Sequence, residues 1–113
     1  MLPQNHRFSS PKDFRFMRQA GRSFTHPYFF FIVARAGNND IQCAVSIAVR
    51  VSKKATVRNR LRRQISAILF HTLPQIKPGH RILIIARPNL LGRSFQEINE
   101  AVLGTARRAR ILL

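Results

Sequence analysis

The stretch Lys53-Lys54-Ala55-Thr56-Val57-Arg58-Asn59-Arg60-Leu61-Arg62-Arg63-Gln64 holds six cationic side chains and no carboxylate. Wound as a helix at about 100° per residue, it gathers Asn59, Arg62 and Arg63 opposite its apolar positions, with Arg58 and Arg60 flanking them. Lys53 and Lys54 stand at or just before the N-terminal end. Arg58 and Arg62 are like charges four apart, a spacing that opposes a helix on its own. A merely solvated face would mix signs, so this one calls for a polyanion to relieve the repulsion. Arginine dominates, and its planar fork suits bidentate contacts to phosphate and stacking on bases. The chemistry on offer is phosphate binding.

Bond-making chemistry is hard to find elsewhere in the chain. Glu97 and Glu100 share one face of a final helix, where a capping role and solvent account for them. His6, His26, His71 and His80 are scattered without metal-ligand spacing, with Cys43 the single cysteine to join them. The five glycines are dispersed and make no phosphate-cradling loop. No catalytic residue and no metal ligand set is expected in the protein.

The whole composition carries the same sign as the basic segment. Twenty Lys and Arg stand against four Asp and Glu, a net charge of +16 over 113 residues. All the acid is Asp13, Asp40, Glu97 and Glu100, so residues 41–96 hold eleven basic side chains and no acidic one. Such a chain repels itself unless a polyanion sits beside it, which leaves nucleic acid or an anionic membrane. The longest apolar runs, residues 28–34 and 82–86, fall far short of the roughly 20 residues a spanning helix needs. The first residues, Met-Leu-Pro-Gln-Asn-His-Arg, contain no apolar block of signal-peptide type. A cytoplasmic protein without a membrane or protein partner is expected, and a lone Cys43 agrees with a reducing compartment. At 45% hydrophobic residues a core is attainable, and the length allows one domain over residues 1–113.

These elements must position the basic segment. Ser10-Pro11-Lys12-Asp13 reads as a helix start, running to about Ala20 and stopping at Gly21, with Phe14, Met17 and Phe16 supplying its apolar face. Residues 28–34 are aromatic and β-branched and read as a strand. Residues 41–51 alternate, with Cys43, Val45, Ile47, Val49 and Val51 on one face, and Cys43 is expected as a buried structural thiol. From Ala55 to His71 the period becomes helical, with Val57, Leu61, Ile65, Ile68 and Leu69 on one stripe. Residues 81–87 read as a strand buried on both faces. Ser94-Phe95-Gln96-Glu97 opens a last helix with a capping box, with Phe95, Ile98, Val102 and Leu103 inward. The sum is an α+β sandwich, one sheet with helices on one side.

With those elements in place, Lys-Lys-Ala-Thr-Val-Arg-Asn-Arg-Leu-Arg-Arg-Gln-Ile closely resembles the signature of the bacterial ribonuclease P protein family. Arg7-Phe8 and Asp13-Phe14 followed by Gly21 resemble its opening helix, and residues 82–87 its final strand. The resemblance covers about residues 7–103. It implies a two-layer sandwich of a single mixed sheet with helices packed on it, in αβββαβα order with a left-handed βαβ crossover. That architecture is also that of the second domain of a small-subunit ribosomal protein. It implies that Lys53, Lys54, Arg58, Asn59, Arg60, Arg62 and Arg63 meet a catalytic RNA. Arg50 joins them, since Val49-Arg50 occupies the place of the family's Ser-Lys-Lys ahead of the helix. It further implies a cleft between first helix and sheet for the 5′ leader of precursor tRNA. Phe14 matches an aromatic of that cleft, Arg18 and Ile32 stand where the family carries others, and Arg7 lies alongside. Bond cleavage is assigned by the resemblance to the RNA with Mg2+, the protein supplying positioning and electrostatic screening.

Three rival readings make different demands. A ribosomal protein would bind ribosomal RNA without affecting leader removal, and a long basic tail is missing. A helix-turn-helix DNA binder needs a helix ahead of residues 57–70, where a strand is read instead. A nuclease of protein alone needs a carboxylate cluster.

Overall fold

Residues 29–34 give a strand no polar side to turn toward water, and the fold is organised around that fact. In the computed structural model, which describes Phe8 and residues 11–113, helix α1 (Pro11–Ala20) precedes strands β1 (Arg22–Thr25), β2 (Phe29–Arg35) and β3 (Gln42–Ser46). Helix α2 (Ala55–Thr72), strand β4 (His80–Ala86) and helix α3 (Phe95–Arg108) complete the chain. The strands make one mixed sheet in the order β1-β2-β4-β3. β1 and β4 both run antiparallel to β2, and β3 runs parallel to β4. β2 and β4 therefore take the centre, where unbroken apolar runs belong, and α2 is the crossover that parallel neighbours require. This is the αβββαβα order of an α+β fold.

Register decides which side chains share a face. Phe31 lies beside Ile84, and Val33 and Cys43 both lie beside Ile82. Beneath α2 and α3 they join Leu61, Ile65, Ile68, Ile98 and Val102 in the main core. The other face carries Ile32, Ala34, Ala44 and Leu83, and these pack with Phe8 and Met17. Helix α1 thus covers the second face, which corrects the expectation of helices on one side. The reason is the two central strands themselves. Both carry large apolar side chains on alternate faces, and one helical layer would leave Ile32 and Leu83 in water. Gly21 ends α1 where its N–H donates to the Met17 carbonyl at 2.9 Å. A Cβ there would collide with that carbonyl and with the Ile32 side chain, so helix and strand approach closely only because the residue is glycine.

Three local readings need adjustment. β1 is short, mostly exposed and on the sheet edge, so no apolar pattern marks it in the sequence. β3 stops at Ser46 instead of continuing to residue 51, because the chain must leave the sheet to enter α2. Ile47 and Val51 still reach the core from that connection, whereas Val49 is 58% exposed. Phe95 is 45% exposed, at the edge of its helix stripe and on the first turn, while Ile98 and Val102 are buried and Leu103 half-buried. The capping box is present: Glu97 N–H donates to Ser94 Oγ at 3.1 Å and Ser94 N–H to Glu97 Oε1 at 2.9 Å. Ser10, read as the cap of α1, lies outside the described residues.

Candidate nucleic-acid interface

Helix α2 buries Leu61, Ile65, Ile68 and Leu69 against the sheet and α3, leaving its first two turns cationic toward solvent. Its N-cap is Lys54, extended at φ −82° and ψ 119°, with no side chain capping the first amides and no acid in the first turn. Those free N–H groups add a partial positive charge to the lysines beside them. The guanidiniums then divide by task. Arg58 Nη1 donates to the Ser52 carbonyl at 2.8 Å, which clips the preceding connection to the helix. Arg62 Nη1 donates to Asn59 Oδ1 at 2.8 Å, so Asn59 orients a neighbouring arginine.

Arg60 and Arg63 are exposed and have no hydrogen-bond or ion-pair partner among the described residues, and Arg50, Lys53 and Lys54 stand exposed ahead of them. The ion pairs of the described residues, Arg81 with Asp13 and Arg93 with Glu97, lie elsewhere. The sequence-predicted set is thus brought together on one end of one helix. Within it, Arg58 and Asn59 shape the surface and Arg60 and Arg63 are unspent.

The second predicted set is brought together only in part. Phe14 is half-buried against the cluster under α1, its ring centroid 5.9 Å from that of Phe8. Ile32 is 7% exposed and forms the floor of that cluster, so it supplies support without an accessible surface. Arg18 is exposed in the last turn of α1, and Arg7 lies outside the described residues.

Sequence reasoning missed the residues that complete this face. Arg81 pairs with Asp13 across α1 and β4 at 3.3 Å, and its guanidinium lies 5.8 Å from the ring centres of both Phe8 and Phe16. Beyond α1 the same sheet face continues to Phe30, paired with Ile85 and two residues from Ile32. Arg87 lies 4.9 Å over the half-buried Phe30 ring, held by donating from Nη1 to the His26 carbonyl at 3.1 Å. Counting back by two from Ile32 would have found Phe30, since alternate residues of a strand share a face.

The titratable groups fit binding better than chemistry. Burial pushes the Cys43 thiol up to about 12, so it is no nucleophile. Glu97 is held below the usual carboxylate range by hydrogen bonds from Ser94, which keeps it an ionised cap. His26 is lowered by burial and then by Arg108, and its Nδ1 accepts from Tyr28 N–H at 3.0 Å. Among the described residues no three His, Cys, Asp or Glu gather to hold a metal ion, and no helix is long and apolar enough to cross a membrane.

A family model described as Ribonuclease P matches residues 2–110. A ribonuclease P protein component of Synechocystis is 38% identical over 96 residues, spanning 84% of this chain and 77% of its own. One of Herpetosiphon aurantiacus is 32% identical over 111 residues, spanning 97% and 89%. Among solved structures, the RNase P protein of Staphylococcus aureus superposes with a TM-score of 0.86 at 17% identity, over 96% of this chain and 98% of its own. That of Thermotoga maritima gives 0.82 at 24% identity, over 90% and 96%. At those identities the superpositions speak for the fold alone.

Proposed function

The chain belongs to the ribonuclease P protein family, and from that premise we propose how its surfaces serve the enzyme. It is a protein subunit of ribonuclease P, the endoribonuclease ribonucleoprotein of tRNA 5′ processing. The reading assigns the outer face of α2 to the catalytic RNA. Arg60, Arg63, Lys53, Lys54 and Arg50 meet phosphates, with Arg58, Asn59 and Arg62 holding the surface in shape. The observation that carries this is a cationic helix start with neither a carboxylate nor a side-chain cap to answer it. The face of Phe14, Phe16 and Phe30, with Arg81 and Arg87 stacked on its rings, is assigned to the single-stranded leader of precursor tRNA. Exposed aromatics and guanidiniums are what single strands stack on.

The enzyme's Mg2+ does not fit this chain, since no ligand set comes together among the described residues. The reading therefore leaves Mg2+ and bond cleavage to the RNA and gives the protein the work of positioning and screening two polyanions. Action on precursor tRNA supports a cytoplasmic location as part of this reading.

The test is cleavage of a precursor tRNA by a bacterial ribonuclease P RNA at low Mg2+, with and without this chain. Accurate 5′ processing restored by the protein is the expected result, and Arg60→Ala should raise the Mg2+ required. RNA that binds the protein yet stays inactive would overturn the reading.

A further inference from the structure

At the far end of the sheet from the start of α2, five basic residues surround a hollow that no part of the proposed function uses. Arg22, Arg35, Lys77, His80 and Arg110 line a cavity of about 590 Å³ whose remaining lining is apolar, Ala20, Val33, Ala34 and Pro78. Among the described residues no acidic side chain lines it. The strand ends that lead into α2 pair with the last residues of β4, while His80 is its first. The length of β4, about 20 Å at 3.3 Å per residue, separates the two basic regions.

We propose that this hollow is a second oxyanion site, built to take the phosphate groups of an RNA backbone or of a free di- or polyphosphate. The hollow is shaped by fixed contacts. Arg22 Nη2 donates to the Ala109 carbonyl at 3.3 Å, joining β1 to the end of α3. Lys77 N–H donates to the Ile111 carbonyl at 2.7 Å, and Ala36 N–H to the Gly79 carbonyl at 2.9 Å. His80 Nδ1–H donates to the Lys77 carbonyl at 2.9 Å, which sets the ring. Asp40 bonds the rim through its main-chain carbonyl, accepting from Gly79 N–H at 3.1 Å, and forms no ion pair among the described residues.

The competing explanation is that these cations only answer helix C-termini. That accounts for Arg22, whose guanidinium is spent on Ala109. It leaves Arg35, Lys77 and Arg110, whose side chains have no hydrogen bond or ion pair among the described residues. Arg110 also stands at φ 59°, the left-handed region, where glycine or asparagine would sit with less strain. The chain keeps a long cation in a conformation that disfavours it. Like charges converging on one hollow repel until an anion enters, and the cavity has room for more than one phosphate.

The inference rests on the proposed function only in naming RNA as one source of phosphate. The full chain is titrated with inorganic pyrophosphate, following amide and imidazole resonances, and its binding to a bacterial ribonuclease P RNA is measured against salt. The variants are the double change Arg35→Ala with Arg110→Gly, which keeps the left-handed turn, and Arg60→Ala as a control on α2. Pyrophosphate should move the resonances of His80 and its neighbours, and the double variant should weaken that response about tenfold while Arg60→Ala leaves it unchanged. If RNA is the source, the double variant also lowers the log–log salt slope by about 1–2, at roughly 0.9 per phosphate contact. If a free polyphosphate is the source, the slope holds and the pyrophosphate response alone is lost. Resonances around His80 that ignore pyrophosphate, together with an unchanged slope, would overturn the proposal. The slope of Arg60→Ala shows in the same experiment whether the assignment of α2 to RNA fails as well.

Discussion

Two groups of arginines in this molecule are used in opposite ways. Those at the start of α2 mostly end in solvent, Arg60 and Arg63 without a partner among the described residues. Those around the open face of the sheet are already engaged, Arg81 with Asp13 and two rings and Arg87 with Phe30 and the His26 carbonyl, and Arg93 ahead of α3 is likewise held by Tyr28 at 4.8 Å and Glu97. A guanidinium stacked on an aromatic and bonded to a carbonyl contributes to the fold whether or not RNA is present. One that is unpaired beside its own kind contributes only when an anion arrives. The same residue type therefore waits bare for an anion in one place and in the other first holds the rings of a surface in shape, and its partners decide which.

The two groups of arginines should respond to substitution in opposite ways. Replacing Arg60 and Arg63 by alanine should weaken binding to ribonuclease P RNA about a hundredfold at low salt and flatten the salt slope by about 1.8, two contacts at 0.9 each. Melting of the free protein should move by no more than about 0.5 kcal/mol, as for other exposed positions. A large loss of stability would show that these side chains are not free. Arg81→Ala should do the reverse. It removes a guanidinium that ties α1 to β4 through Asp13 and lies over the Phe8 and Phe16 rings. The expected cost is about 2 kcal/mol of stability by chemical denaturation, within the range for charged hydrogen bonds. The RNA salt slope of refolded protein should hardly change.

Much of this was legible in the sequence because it rests on periodicity. α2 follows from the stripe of Leu61, Ile65, Ile68 and Leu69, and its outer cations follow by subtraction. α1 ends at Gly21 and α3 begins at its capping box for reasons carried by neighbouring residues. The rest depends on contacts between distant segments. Nothing near Arg81 announces Asp13, 68 residues away. β1 has no apolar alternation and exists because β2 offers it an edge. That α1 takes the second face follows from counting both faces of β2 and β4 together. The burial of Ile32 has a related cause. Ile32 holds the expected strand position but lies beneath α1, and the reachable ring is Phe30.

Phe30 gives the next, smaller test. Phe30→Leu keeps an apolar side chain in the strand but removes the ring over which Arg87 lies and to which the proposed leader path assigns a base. Affinity for a precursor tRNA carrying its leader should fall by about 1 kcal/mol, the lower end for one base–aromatic stack. Affinity for a substrate without a leader should stay unchanged, and an equal loss for both would move the leader off this face.

The smallest effect concerns His26, whose carbonyl holds Arg87 and whose ring lies within the field of Arg108. Its Nδ1 accepts from Tyr28 N–H, its ring stacks on Phe29 with centroids 4.9 Å apart, and burial, helped by Arg108, lowers its affinity for a proton. The unfolded chain then takes up that proton at a higher pH than the folded one. Stability is whole above the ordinary histidine value of 6.5 and declines as pH falls from there through the lowered folded value. His26→Gln, whose amide oxygen still accepts a hydrogen bond, should flatten melting temperature against pH between about 7 and 5. Bound RNA sharpens the point. If phosphates approach Arg108, they offset the charge that helps keep His26 neutral, and its titration should move back up. If the titration stays where it is in the complex, RNA does not reach Arg108, and the contacts that Arg87 and Arg108 make around His26 serve the fold alone.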